Sequence, residues 1–155
     1  MDENALLRFL LEASRQGYAA GRTAVKTRET DHSTTIVLEQ GEWRFHDNYF
    51  GGEPYGGREV VFLRGRPVWM AVYYGGVDDA DVDTVYSFLQ RALRKAPADF
   101  PVRGPEALTE GHFSYRNVHE GSVASFSGHE TIHEGGRPVY TARYAGGFVD
   151  RRSGD

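Results

Sequence analysis

The chain has 155 residues, a length that predicts one domain, 1–155, large enough to bury a core without covalent staples. It contains no cysteine, which excludes disulfides, thiolate metal sites and a cysteine nucleophile. Its net charge of −4 argues against nucleic-acid binding driven by phosphate neutralisation. The opening MDENALLRFLLEA is acidic and its apolar run is interrupted by Arg8, so no signal peptide is expected. No apolar run approaches the ~20 residues of a membrane span. The expected setting is the cytoplasm, with no membrane partner.

Leu6, Leu7, Phe9, Leu10, Leu11 and Ala13 recur at helical spacing and predict a helix over 4–19, with Gly21 as its stop. The polar stretch 22–33 reads as a loop. Strands are expected at 34–39 and 42–49 around a Gln40-Gly41 turn, then at 59–63 and 68–74 around Arg64-Gly65-Arg66-Pro67. A second helix is expected over 81–95 from Val82, Val85, Tyr86, Leu89, Ala92 and Leu93. Aspartates crowd its start and basic residues its end, the order a helix dipole favours. Those aspartates do not make a calcium loop, because Thr84 replaces the sixth-position glycine and Gln90 the twelfth-position glutamate. The proline-bearing stretch 97–110 reads as a linker. Strands at 112–119, 123–126, 130–134 and 139–145 complete the chain, before a tail, 151–155, expected to be disordered.

Two segments repeat. GRPVWMAVYYGGVDD from Gly65 is echoed by GRPVYTARYAGGFVD from Gly136, and GEWRFHDNYFGG from Gly41 by GHFSYRNVHEG from Gly111. The expected fold is therefore α+β, an antiparallel sheet built from two helix-plus-β-meander pseudo-repeats, about 4–79 and 81–150, with the helices packed on the sheet.

The repeat bears on His129-Glu130-Thr131-Ile132-His133, which matches the H-E-x-x-H pattern of zinc peptidases. Its counterpart in the first copy is Arg58-Glu59-Val60-Val61-Phe62, a β-branched strand. Histidines four apart on a strand are separated by about 13 Å, at ~3.3 Å per residue, too far to share one ion. No metal and no cofactor are expected.

Strand parity assigns the faces. Residues that keep their character across both copies are Trp43, Phe45, Asp47 and Tyr49 with Phe113, Tyr115, Asn117 and His119; Glu59 and Val61 with Glu130 and Ile132; and Trp69, Ala71 and Tyr73 with Tyr140, Ala142 and Tyr144. This inward face is aromatic yet carries Asp47, Glu59 and Glu130, and buried carboxylates must be bonded, paired or protonated. They either tie the sheet together or line a pocket of aromatic rings with a few convergent polar groups. The candidate ligand-binding residues are Trp43, Asp47, Tyr49, Glu59, Trp69, Tyr73, Glu130, Tyr140 and Tyr144.

The run DNYFGGEPYGGREVVFLRGRPVWMAVYYGG, with the first helix ending in EASRQGYAAG, resembles a family of small prokaryotic domains of unknown function. Some of its members follow a helix-turn-helix DNA-binding domain. The resemblance runs from about Leu6 to Gly147 and implies an α+β domain without an established activity or assigned residues. The leading functional reading is a small-molecule-binding domain. One alternative is an enzyme using Asp47, Glu59 and Glu130 for acid–base chemistry, with Tyr49 or Tyr73 as donor. Another is an interaction protein that self-associates, with a homodimer as the expected form.

Overall fold

A computed structural model describes residues 1–23, 25–150 and 152. Helix α1 (Glu3–Gln16) starts on Asp2, whose side chain accepts from Asn4 N–H at 2.9 Å. It ends one turn earlier than the periodicity predicts. Gly17 leaves the helical region and the chain tightens into a 3-10 segment, Tyr18–Thr23, bent at Gly21. Strands β1 (Thr27–Arg28), β2 (Thr34–Gln40), β3 (Trp43–Phe50), β4 (Tyr55–Leu63) and β5 (Arg66–Val77) follow. Helix α2 (Val82–Leu93) is capped by Asp81, which accepts from Thr84 N–H at 2.8 Å. Strands β6 (Ala107–Glu110), β7 (Phe113–Ser122), β8 (Ser125–Glu134) and β9 (Arg137–Phe148) complete the fold.

These strands form one antiparallel sheet in the order β1-β2-β3-β4-β5-β9-β8-β7-β6. Every connection within β2–β5 and within β6–β9 is a hairpin, and β5 meets β9 at the centre, with Tyr73 opposite Tyr144. Three sequence expectations are corrected. The loop expected over 22–33 contains the short strand β1, the end of the linker expected over 97–110 is strand β6, and the β2–β3 turn is Gly41-Glu42, since Gln40 pairs with Trp43. Short polar edge strands carry too few alternating apolar residues to announce themselves. The tail positions 151 and 153–155 lie outside the described residues.

Both helices cover the same face. Leu6, Phe9 and Leu10 of α1 pack on Phe45, Val61 and Trp69, while Val85, Phe88 and Leu89 of α2 pack on Tyr115, Ile132 and Tyr140. At about 25 cal/mol per Å² of apolar surface, burying these faces is the main force holding the helices to the sheet. The opposite face carries exposed Val37, Val72, Tyr74 and Val118. Bulges at Val61/Phe62 and Ile132/His133 fall near the hairpin ends, so strand parity holds across the central rows. The HETIH segment lies within β8, with His129 between Val118 and Arg143. Its histidines therefore lack the one-turn helical spacing of a zinc peptidase. Among the described residues no group of three or more histidines and carboxylates could hold a metal ion. No described helix is long and apolar enough to cross a membrane.

Candidate functional site

Between the two helix-covered cores the buried face turns polar. Asp47 on β3 lies directly opposite Glu59 on β4. Such cross-strand neighbours hold their Cβ atoms ~4.5–5.5 Å apart on one face. Tyr73, two strands from Asp47, reaches over Gly57 and donates its hydroxyl to Asp47 Oδ1. The lack of a side chain on Gly57 leaves room for the facing strand, since a Cβ there would come within 2.6 Å of the Tyr49 Cβ.

A cavity of about 370 Å³ opens above the pair. Its floor is Asp47, Glu59 and Tyr73; Tyr49 and the Gly51-Gly52 loop form one side. Tyr18, Tyr55 and Tyr86 supply an aromatic wall, with Tyr55 stacked on Tyr18 at 6.4 Å and edge-on to Tyr86 at 5.9 Å. Glu53 fastens the rim: it accepts from Val77 N–H at 2.7 Å and from the Tyr86 hydroxyl of α2. A smaller hollow of about 40 Å³ reaches Asp47, Glu59 and Arg103 from the α1 side.

Asp47 is buried and Glu59 half-buried, and both line the cavity. Burial pushes the Asp47 carboxyl up to about 6, against the Tyr73 hydrogen bond and the charges of Arg103 and Lys26. Burial and then the charge of Asp47 push Glu59 up to about 8, only partly offset by Arg103. No hydrogen bond from the described residues lowers it. Two neighbouring carboxyls thus share a site that discourages double ionisation.

Arg103 sits beneath the cavity. Its Nε donates to Glu130 Oε1 at 2.6 Å, and Nη2 reaches the Tyr55 hydroxyl at 3.5 Å. Burial works against the guanidinium charge, but Glu130 together with the surrounding Tyr55, Tyr140 and Tyr115 outweighs it and holds Arg103 protonated. Tyr115 donates to Glu130 Oε2 at 2.5 Å and accepts from Gly104 N–H at 3.1 Å. Asn117, directly opposite Glu130, donates to Gly104 O at 3.1 Å and accepts from Tyr144 at 2.6 Å. That cluster closes on itself.

Of the residues singled out by sequence, the structure brings Asp47, Tyr49, Glu59 and Tyr73 together on the cavity wall. Glu130 is fully buried behind it, joined to it through Arg103. Tyr140 stands one step back, its hydroxyl 2.6 Å from that of Tyr55. Trp43 stacks on Phe9 at 5.5 Å, and Trp69 is fully buried with its indole N–H on Val123 O at 2.9 Å. Tyr144 leans over Gly128, where a Cβ would come within 2.0 Å of its ring. Strand parity did not reach Tyr18, Lys26, Tyr55, Tyr86 or Arg103, which come from the 3-10 segment, a loop, a glycine-flanked strand start, α2 and the stretch read as a linker.

A family described as a domain of unknown function, DUF5680, matches residues 47–149, well over half of the chain. The chain belongs to this family. The match spans Asp47, Glu59, Tyr73, Arg103 and Glu130. No curated protein and no solved structure matches the chain.

Proposed function

We propose that the chain is a small-molecule-binding domain whose ligand sits in the cavity over Asp47 and Glu59. The observation that carries this reading is a carboxylate pair, opposed across two strands, that opens on a tyrosine-walled hollow instead of meeting a counter-charge within the sheet. Aromatic walls with a few convergent polar groups are the usual make-up of a ligand site, and the volume falls within the ~300–1,000 Å³ range of such sites. A sensing role suits the resemblance noted above, which implies that some relatives follow a helix-turn-helix DNA-binding domain.

The two halves of the sheet are read as copies of one unit. Supporting this are the matched hairpins, the matched bulges and the matched trios Asp47–Glu59–Tyr73 and Asn117–Glu130–Tyr144. On this reading one copy kept an open polar site while the other became a structural brace.

Native mass spectrometry of freshly purified protein, wild type beside Ser87→Trp, tests the proposal. Ser87 is an exposed α2 residue at the cavity wall, so an indole there fills the mouth without entering the core. An organic mass carried by the wild type and lost in the variant is expected. A clean apo mass, or an adduct equal in both, contradicts it.

A second reading, a small acid–base enzyme, is favoured by the adjacency of two carboxyls displaced to about 6 and about 8. Carboxyls held at different values can divide acid and base roles. Turnover of a captured molecule by the wild type, and its persistence unchanged in Glu59→Gln, would distinguish enzyme from receptor.

A further inference from the structure

We propose that the cavity takes a small organic cation, an alkylammonium or quaternary ammonium group seated over Asp47 and Glu59 within the tyrosine wall. The inference rests on the ligand-binding reading above and adds the chemical class.

Charge is the first argument. The cavity wall carries Asp47, Glu59 and Asp83 against Arg103 and Lys26. Arg103 is already matched by fully buried Glu130 at 2.6 Å, so its charge is largely spent within the protein. Lys26 is an exposed residue of the rim. The floor therefore presents two carboxyls with no cation of the described residues in contact with them, and a positive ligand supplies what is missing.

The tyrosines make the second argument. Three of the five tyrosine hydroxyls at the cavity are committed elsewhere: Tyr73 to Asp47, Tyr86 to Glu53, and Tyr55 to Tyr140. What these residues offer a ligand is the rings, whose faces attract cations. The protein's own cations already use them. Lys26 Nζ lies 5.8 Å from the centre of the Tyr18 ring, and Arg103 Cζ lies 5.9 Å from that of Tyr73. An anion would instead meet the carboxyl floor, and a neutral polar ligand would find those three hydroxyls taken.

Binding of a cation is coupled to proton release. Asp47 is faced by Tyr73 from β5, by Arg103 and by Lys26; Glu59 is faced by Asp47, Arg103 and Glu130. A bound cation favours the ionised forms of both carboxyls, so affinity rises with pH until both have lost their protons.

Three isosteric probes test the class: choline, the neutral 3,3-dimethylbutanol and the anionic 3,3-dimethylbutyrate, each titrated into the 15N-labelled full chain and followed by NMR. Choline is expected to shift amides around Asp47, Glu59 and Tyr73, and to bind at least about tenfold more tightly than the neutral probe, the scale of one cation–π contact with a desolvated charge partner. Its affinity is expected to rise by about tenfold or more from about pH 5.5 to about pH 8.5. Glu59→Gln and Asp47→Asn, near-isosteric and folded by the criterion of their NMR spectra, are expected to lose the preference for charge. Neutral or anionic probe binding as tightly as choline would overturn the cation class while leaving the ligand-binding reading intact. Absence of binding by all three probes would overturn it as well, and the native mass of the purified protein then judges the broader reading separately.

Discussion

The two halves of the sheet solve the same problem differently. Each places a polar residue on one strand opposite a glutamate on the next and brings a tyrosine across a glycine to hold it. In the β6–β9 half the polar residue is Asn117, Glu130 is bound by Arg103 and Tyr115, and the cluster is sealed. In the β2–β5 half it is Asp47, Glu59 has no such partner, and the cluster faces a cavity. A buried carboxylate with its own guanidinium is a structural brace. A carboxylate pair without one is poised for something that comes from outside.

Breaking the sealed half should cost most. Arg103→Ala leaves Glu130 buried without its partner, and the expected loss is about 3–5 kcal/mol in denaturant unfolding. Removing charge from the open half should act in the opposite direction. Burial and the charge of Asp47 raise the Glu59 carboxyl above its ordinary value of 4.5 in the folded state. Between the ordinary and the raised value the native state binds more protons, so stability falls as pH rises. Glu59→Gln abolishes that loss. It is expected to raise the melting temperature at pH 8 by at least about 2–4 °C, the scale of ~1 kcal/mol in a domain of this size, and to leave stability near pH 4 unchanged, as read from paired melting curves.

A smaller effect comes from making the sealed half resemble the open one. Asn117→Asp removes the donor to Gly104 O and sets a second carboxyl opposite Glu130. A loss of about 1–3 kcal/mol at neutral pH is expected, shrinking as acid protonates the new group. Smallest of all is Tyr144→Phe, which deletes one hydrogen bond to Asn117, for about 1 kcal/mol. A larger cost there would mean that Tyr144 does more than brace the strand.

The sheet was legible because its hairpins announce themselves. Alternation along Trp43–Tyr49, and the shared Gly-Arg-Pro turns, fixed which residues face inward, and Asp47 and Glu59 followed from parity alone. Parity could not separate a cavity wall from packed core, because both lie on the same face: Trp69 and Tyr73 are four residues apart on β5, one sealed against Phe126 and the other beside the cavity. That difference depends on what the helices leave uncovered. Arg103 was hidden for another reason. It lies in an irregular stretch between Pro101 and Pro105 with no period to read, and only the tertiary fold brings it beneath Tyr73. Tyr55 likewise sits in a glycine-rich segment that reads as loop, although it begins β4.

The contrast between a sealed and an open polar cluster is tested most directly by carboxyl 13C NMR across a pH titration of the free protein. Asp47 and Glu59 are expected to titrate well above the ordinary carboxylate range, with apparent midpoints for the pair near 6 and near 8. Two midpoints at ordinary values, near 4, would show that both groups are solvated or compensated, and would contradict the reading of this pair as an uncompensated site awaiting a ligand.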